Sequence, residues 1–167
     1  KEKIITMINL IKVQHYDVVN GPGIRTSIWF AGCNNNCKGC WSSFTWNPFQ
    51  GKPLEEWKDK ITTYLSDDKV KGVSVLGGDP LYWLFQDKNV EELIEFFKFI
   101  HSFNKPVWVW TGYLFEKVKE KNPEILKYID ILVDGKFEEH LKDMRLLWRG
   151  SANQRIINVK EKLENEN

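Results

Sequence analysis

Apolar runs no longer than a single strand alternate with helix-length amphipathic stretches along most of this chain. Thr26–Ala31 (TSIWFA) is a short apolar run closed by Gly32, the pattern of a buried strand. Pro53 then opens a stretch with Leu54, Trp57, Ile61, Tyr64 and Leu65 at helical spacing, proline being favoured in a first turn. Gly72–Leu76 (GVSVL) reads as a second strand, stopped by Gly77-Gly78-Asp79-Pro80. A second helix is expected over Val90–Phe103, with Val90, Leu93, Ile94, Phe97 and Ile100 along its buried face. Pro106–Trp110 (PVWVW) is a third strand ending at Thr111-Gly112. A helical stretch broken by Asn122-Pro123 leads to Ile129–Val133 (IDILV), a fourth strand that turns at Asp134-Gly135. Arg155–Val159 is a candidate fifth.

Strands alternating with helical connections imply parallel pairing through right-handed crossovers. Four to six such units are too few to close an eight-stranded barrel. The expected fold is therefore α/β, an open partial barrel in one domain over residues 1–167, its ends at 1–12 and 160–167 free to fray. The charged tail Lys160–Asn167 is either frayed or helical. In such sheets a ligand lies beyond the carboxyl ends of the strands. Four loops meet that demand: the one after Ala31, Gly77–Pro80, Thr111-Gly112 and Asp134-Gly135-Lys136.

Composition narrows the class. Twenty-four basic against twenty-three acidic residues leave a net charge of +1, which gives no electrostatic reason to expect nucleic acid or an anionic membrane surface. The longest apolar stretches fall far below the ~20 residues that span a bilayer. The first residues lack the pattern of a signal peptide, so the cytoplasm is the expected compartment. The eight tryptophans are read mainly as core and surface filling, and Trp108 and Trp110 alternate with Val107 and Val109, so one face of that strand packs in the core.

All three cysteines, Cys33, Cys37 and Cys40, fall within eight residues, in a loop that also holds Asn34, Asn35, Asn36 and Gly39. An odd number so closely spaced is a poor disulfide framework, and a reducing compartment favours a metal or redox site. Three thiolates that close together repel one another and need a cation. One candidate is zinc, which wants four ligands, the fourth coming from His15, His101 or His140. The other is a [4Fe–4S] cluster, in which three cysteines leave one iron open. The spacing leaves both open.

Cys33-x3-Cys37-x2-Cys40 after a first strand resembles the radical S-adenosylmethionine superfamily. The preceding Asn20-Gly21-Pro22-Gly23-Ile24-Arg25-Thr26 is similar to the DGPGIRT stretch of glycyl-radical activases. Trp108–Glu116, Ile131–Phe137 and Arg149–Val159 resemble the anaerobic ribonucleotide reductase activating proteins, so the likeness runs from about Asp17 to Val159. It implies a [4Fe–4S] cluster on Cys33, Cys37 and Cys40 whose open iron is chelated by S-adenosylmethionine. It further implies that an electron, from a donor such as flavodoxin or ferredoxin, cleaves that cofactor to a 5′-deoxyadenosyl radical. The radical then takes hydrogen from a glycine of the reductase. Two positions depart from the broader pattern. Gly39 stands where many superfamily members place an aromatic, the reductase activases putting theirs after the cysteine, here Trp41; and Ser42 stands where those activases have Asn.

The resemblance also assigns the other loops. Gly77-Gly78-Asp79-Pro80 matches a GGEP motif with Asp for Glu, its backbone and carboxylate suited to the methionyl ammonium; read alone it is a strand-to-loop turn. Gly39, Cys40, Trp41, Thr111, Asp134 and Lys136 join it as cofactor-binding candidates, although Asp134 and Lys136 also read as a solvated turn. Asn20, Gly21, Gly23 and Arg25 are candidates for a role near the cluster and the incoming glycyl loop; the plain reading is a turn into a strand, with Arg25 structural. Two other functions compete: a non-catalytic iron–sulfur or zinc module, and a radical enzyme acting on a small molecule, which usually needs a longer chain.

Overall fold

The computed structural model describes residues 7–166. Seven strands form one mixed sheet in the order β3-β1-β2-β4-β5-β6-β7. They are β1 (Asn9–Asp17), β2 (Arg25–Phe30), β3 (Lys52–Pro53), β4 (Gly72–Gly77), β5 (Val107–Trp110), β6 (Ile131–Asp134) and β7 (Arg155–Asn158). The four central strands, β2, β4, β5 and β6, run parallel; β1 pairs antiparallel with β2 and β3 antiparallel with β1 on one side, and β7 pairs antiparallel with β6 on the other.

The parallel strands are the ones the apolar runs announce, and their alternation divides the sheet into two faces. Ile28, Phe30, Val73, Val75, Val107, Val109 and Leu132 are fully buried in one continuous apolar cluster. Against them pack helices α1 (Leu54–Leu65), α3 (Val90–His101) and α4 (Phe115–Lys121), which bury Leu54, Ile61, Leu65, Leu93, Phe97, Ile100, Phe115 and Val118. A short α2 (Tyr82–Phe85) follows the glycine-rich loop. On the opposite face Trp108 and Trp110 lie 5.8 Å apart between ring centres, and Trp148 packs edge-on against Trp108 at 5.1 Å. Trp148 also accepts the Trp110 indole N–H on its carbonyl at 2.7 Å.

Three expectations change. Residues 9–12 do not fray: they open β1, with Leu10 fully buried, whereas residues 1–6 lie outside the described part. The expected fifth strand forms over Arg155–Asn158 but pairs antiparallel with β6. Its physical reason is the connection, since residues 135–154 return without a crossover α-helix and so bring the chain back in the opposite direction. Val159 instead begins α5 (Val159–Asn165), so the charged tail is helical through Asn165, capped by the Asn158 side chain, which accepts from the Glu161 N–H at 3.1 Å. No helix among the described residues is long and apolar enough to cross a membrane.

Candidate functional site

The parallel strands carry the four candidate loops to the same end of the sheet. The cysteine loop leaves β2, Gly78-Asp79-Pro80 leaves β4, Thr111-Gly112 leaves β5 and Gly135-Lys136 leaves β6. The first two are laced together by backbone bonds: Gly78 N–H donates to the Phe30 carbonyl at 2.8 Å and Asp79 N–H to the Gly32 carbonyl at 2.7 Å. A β-carbon at Gly78 would sit 2.4 Å from that Gly32 carbonyl, and one at Gly77, where φ is +112°, would sit 2.6 Å from the Phe30 nitrogen. Gly77 is therefore required by contact with the end of β2, and Gly78 by contact with the start of the cysteine loop.

All three cysteines are free thiols of intermediate exposure. The Cys40 sulfur accepts the Ser42 backbone N–H at 3.4 Å. Burial, reinforced by the nearby Asp79 carboxylate, pushes the Cys33 thiol up to about 12, and burial raises Cys37 as well. Thiols as reluctant to ionise alone as Cys33 and Cys37 become thiolates beside a cationic centre, which reverses the local preference. Among the described residues no three His, Cys, Asp or Glu side chains converge to hold a single metal ion. His15 is bonded to Asp67 at 3.1 Å, His101 ends α3, and His140 is exposed, so the closed shell of a structural zinc is not assembled here. A cluster that distributes its thiolates over separate irons fits the three sulfurs.

Gly39 turns the loop between Cys37 and Cys40 with φ +75°, close against Glu139. Trp41 is exposed and carries the Lys142 ammonium 5.1 Å from its ring centre. A cavity of about 540 Å³ opens beside Cys37, and Asn35, Gly112, Gly135, Lys136 and Phe137 help to line it. Lys136 is exposed there. The neighbouring Asp79, Pro80, Thr111 and Asp134 are all buried. Asp79 accepts from Leu81 N–H, Thr111 Oγ1, Gly112 N–H and Asn35 Nδ2. Asp134 accepts from Phe115 N–H and from Arg155. Protein donors thus meet both carboxylates from within.

Asn20, Gly21, Gly23 and Arg25 lie at the opposite end of β2, roughly 17 Å of strand from the cysteine loop. Arg25 is 2% exposed and donates to Ser74 Oγ at 2.7 Å and to the carbonyls of Pro22, Val73 and Pro106, each at 3.0 Å. Burial lowers its guanidinium to about 10. The Asn20 carbonyl accepts from Ser74 Oγ, and its side chain donates to Asp17 at 2.6 Å. A role beside the cluster is not what this placement gives; the stretch fastens the amino ends of β2, β4 and β5, the plain reading of Arg25.

Sequence reasoning gave no role to Asn35, Phe137, Asn153 or Gln154. Asn153 Nδ2 donates to the Lys136 carbonyl at 2.7 Å and Gln154 Nε2 to the Gly135 carbonyl at 3.0 Å, holding the cavity wall. Their place in the Arg149–Val159 stretch was the available signal.

These loops and their sulfurs define an iron–sulfur domain, and a family model described as "4Fe-4S single cluster domain" matches residues 19–157. Relatives named "Anaerobic ribonucleoside-triphosphate reductase-activating protein" are 38% identical in Salmonella typhi and 37% identical in Escherichia coli K12, each over 154 residues covering 88% of this chain and 97% of the relative. One from Enterobacteria phage T4 is 37% identical over 152 residues, 89% of this chain and 93% of its own. The chain belongs to the 4Fe–4S family of anaerobic ribonucleoside-triphosphate reductase-activating proteins.

Proposed function

We propose that this chain is a radical S-adenosylmethionine enzyme that installs a glycyl radical on an anaerobic ribonucleotide reductase. The observation that carries the reading is the set of three free cysteines after the first parallel strand, beside a cavity that Cys37 helps to line. The kinship with reductase-activating proteins supplies the partner.

When bound, the cluster supplies one electron that cleaves the cofactor's carbon–sulfur bond to methionine and a 5′-deoxyadenosyl radical, which takes a hydrogen atom from a reductase glycine. The protein's own residues bind, orient and exclude. Cys33, Cys37 and Cys40 hold three irons and leave the fourth for the cofactor. Gly112, Gly135, Lys136 and Phe137 wall the cofactor cavity, and Lys136 offers a cation to the cofactor carboxylate. Gly39 and Trp41 flank the last ligand, while Gly77, Gly78 and Pro80 bring backbone carbonyls toward the ammonium. Thr111 and Asp134 shape the walls from behind. Arg25 and the Asn20–Gly23 turn keep the strands in register beneath the site.

The parallel strands act as an open partial barrel, and residues 1–167 as one cytoplasmic domain. Its mouth is left wide for a protein substrate. Trp41, Phe44, Phe49, Leu114, Met144 and Leu147 all expose large apolar surface on loops at that end of the sheet, as a docking site for another protein would. Reduced flavodoxin or ferredoxin supplies the electron.

Anaerobic reconstitution with iron and sulfide tests the reading. A four-iron chromophore whose spectrum changes on adding S-adenosylmethionine is the expected result, and any single Cys33, Cys37 or Cys40 to Ala change abolishes it. A colourless protein holding one zinc ion contradicts it.

A further inference from the structure

The Asp79 carboxylate is 3% exposed, and both its oxygens are occupied. Oδ1 accepts from Leu81 N–H at 3.0 Å and Thr111 Oγ1 at 2.8 Å; Oδ2 accepts from Gly112 N–H at 2.9 Å and Asn35 Nδ2 at 2.9 Å. Four donors match the roughly four lone-pair sites of a carboxylate, so nothing remains for a ligand. The donors come from three different loops: its own, the one after β5, and the cysteine loop.

Asn35 is the informative partner. It stands midway between Cys33 and Cys37, and its side chain reaches Asp79. It also lines the 540 Å³ cavity beside Cys37 and Gly112. The fit is close, since a β-carbon on Gly112 would come within 2.3 Å of Asn35 Nδ2. One residue earlier, Asn34 Oδ1 accepts from the Tyr113 hydroxyl at 3.1 Å, and the Tyr113 ring stacks on Phe85 at 3.7 Å. The cysteine loop is thereby held at two consecutive residues, Asn34 by the loop after β5 and Asn35 by the loop after β4.

We propose that Asp79 is a positioning residue that acts through Asn35, locking the Cys33–Cys37 segment against the cavity wall before any cluster or cofactor is present. The carboxylate makes no contact with the cofactor. It sets the direction in which the cysteine loop presents its sulfurs and fixes the Asn35 amide as part of the wall. The cofactor half of this statement rests on the proposed function; the loop-fixing half does not. Charged acceptors give the strongest hydrogen bonds, and partners of this kind hold ligand-bearing loops in place.

Two measurements on Asn35→Ala and Asn35→Leu test it, the second preserving side-chain bulk should the first fold poorly. In the cluster-free chain, the rate at which a thiol reagent labels Cys33 and Cys37 reports loop opening. It should rise roughly tenfold in both variants, as expected for losing one hydrogen bond to a charged acceptor, with the thermal midpoint nearly unchanged because Asn35 is half-exposed. In reconstituted protein, S-adenosylmethionine affinity should fall roughly 10- to 100-fold, and the spectrum of the reduced cluster with cofactor should differ from wild type. Unchanged labelling rates in both variants overturn the proposal, as does faster labelling matched by an equal loss of global stability. If labelling accelerates while wild type itself binds no S-adenosylmethionine, the lock stands and the cofactor assignment falls.

Discussion

Arg155 grips the fully buried carboxylate of Asp134 with two parallel bonds, Nε to Oδ1 at 2.9 Å and Nη2 to Oδ2 at 2.5 Å. The same guanidinium reaches Glu116 Oε2 at 2.8 Å, so it joins β7, the end of β6 and the start of α4. The two carboxylates hold Arg155 above even the ordinary guanidinium range. Replacing Arg155 by Ala leaves Asp134 with the Phe115 N–H alone. Because the guanidinium is 41% exposed, water moderates the loss, and the expected cost is about 2 kcal/mol in urea unfolding of the cluster-free chain. Arg155→Lys should recover only part, since an ammonium does not reproduce the paired geometry.

A second cluster fixes how stability depends on pH at the opposite end of the sheet. The Tyr16 hydroxyl donates to Asp67 at 2.5 Å, with further donation from Lys69 N–H and His15, and together they pull Asp67 down to about 2. Its folded value lies below the unfolded one of about 3.9. The contribution is therefore complete above about pH 4 and is lost as pH falls toward 2. Tyr16→Phe removes the largest cause, so the drop in unfolding midpoint between pH 5 and pH 2.5 should be smaller in the variant than in wild type. An equal drop would show that this hydroxyl does not set the acid sensitivity.

Gly78 offers a test of the glycine-rich loop. A single methyl there meets the Gly32 carbonyl at 2.4 Å, and both partners are backbone, so something must shift. Gly78→Ala should therefore disturb the cysteine loop first, lowering iron bound after reconstitution as well as thermal stability. A variant that folds and loads full iron would show that the loop tolerates the displacement.

How much of this was legible in the sequence follows from where each force originates. The parallel strands were readable because both faces of a central strand are covered, which leaves runs such as TSIWFA and GVSVL with no polar alternation to confuse. β1 was hidden because it has an exposed polar side, Lys12 and Gln14, and two register irregularities against β2. The direction of β7 depends on what its connection contains, and nothing within Arg155–Asn158 encodes that. The cysteines announced themselves by spacing. The occupancy of Asp79 did not, since its partners Asn35 and Thr111 lie 44 and 32 residues away and only folding unites them. Likewise the separation of Arg25 from the cysteine loop is a property of strand length, whereas in sequence the two are near neighbours.

The central claim is that the radical chemistry is delivered to a glycine of another protein. The direct measurement mixes reduced, reconstituted protein, S-adenosylmethionine and an anaerobic ribonucleotide reductase, and records the electron paramagnetic resonance spectrum. The account predicts a glycyl doublet on the reductase that disappears when the reductase glycine is replaced by alanine and when Cys37 of this chain is replaced by Ala. A competent reductase that acquires no radical, while the protein consumes a small molecule together with S-adenosylmethionine, would contradict it.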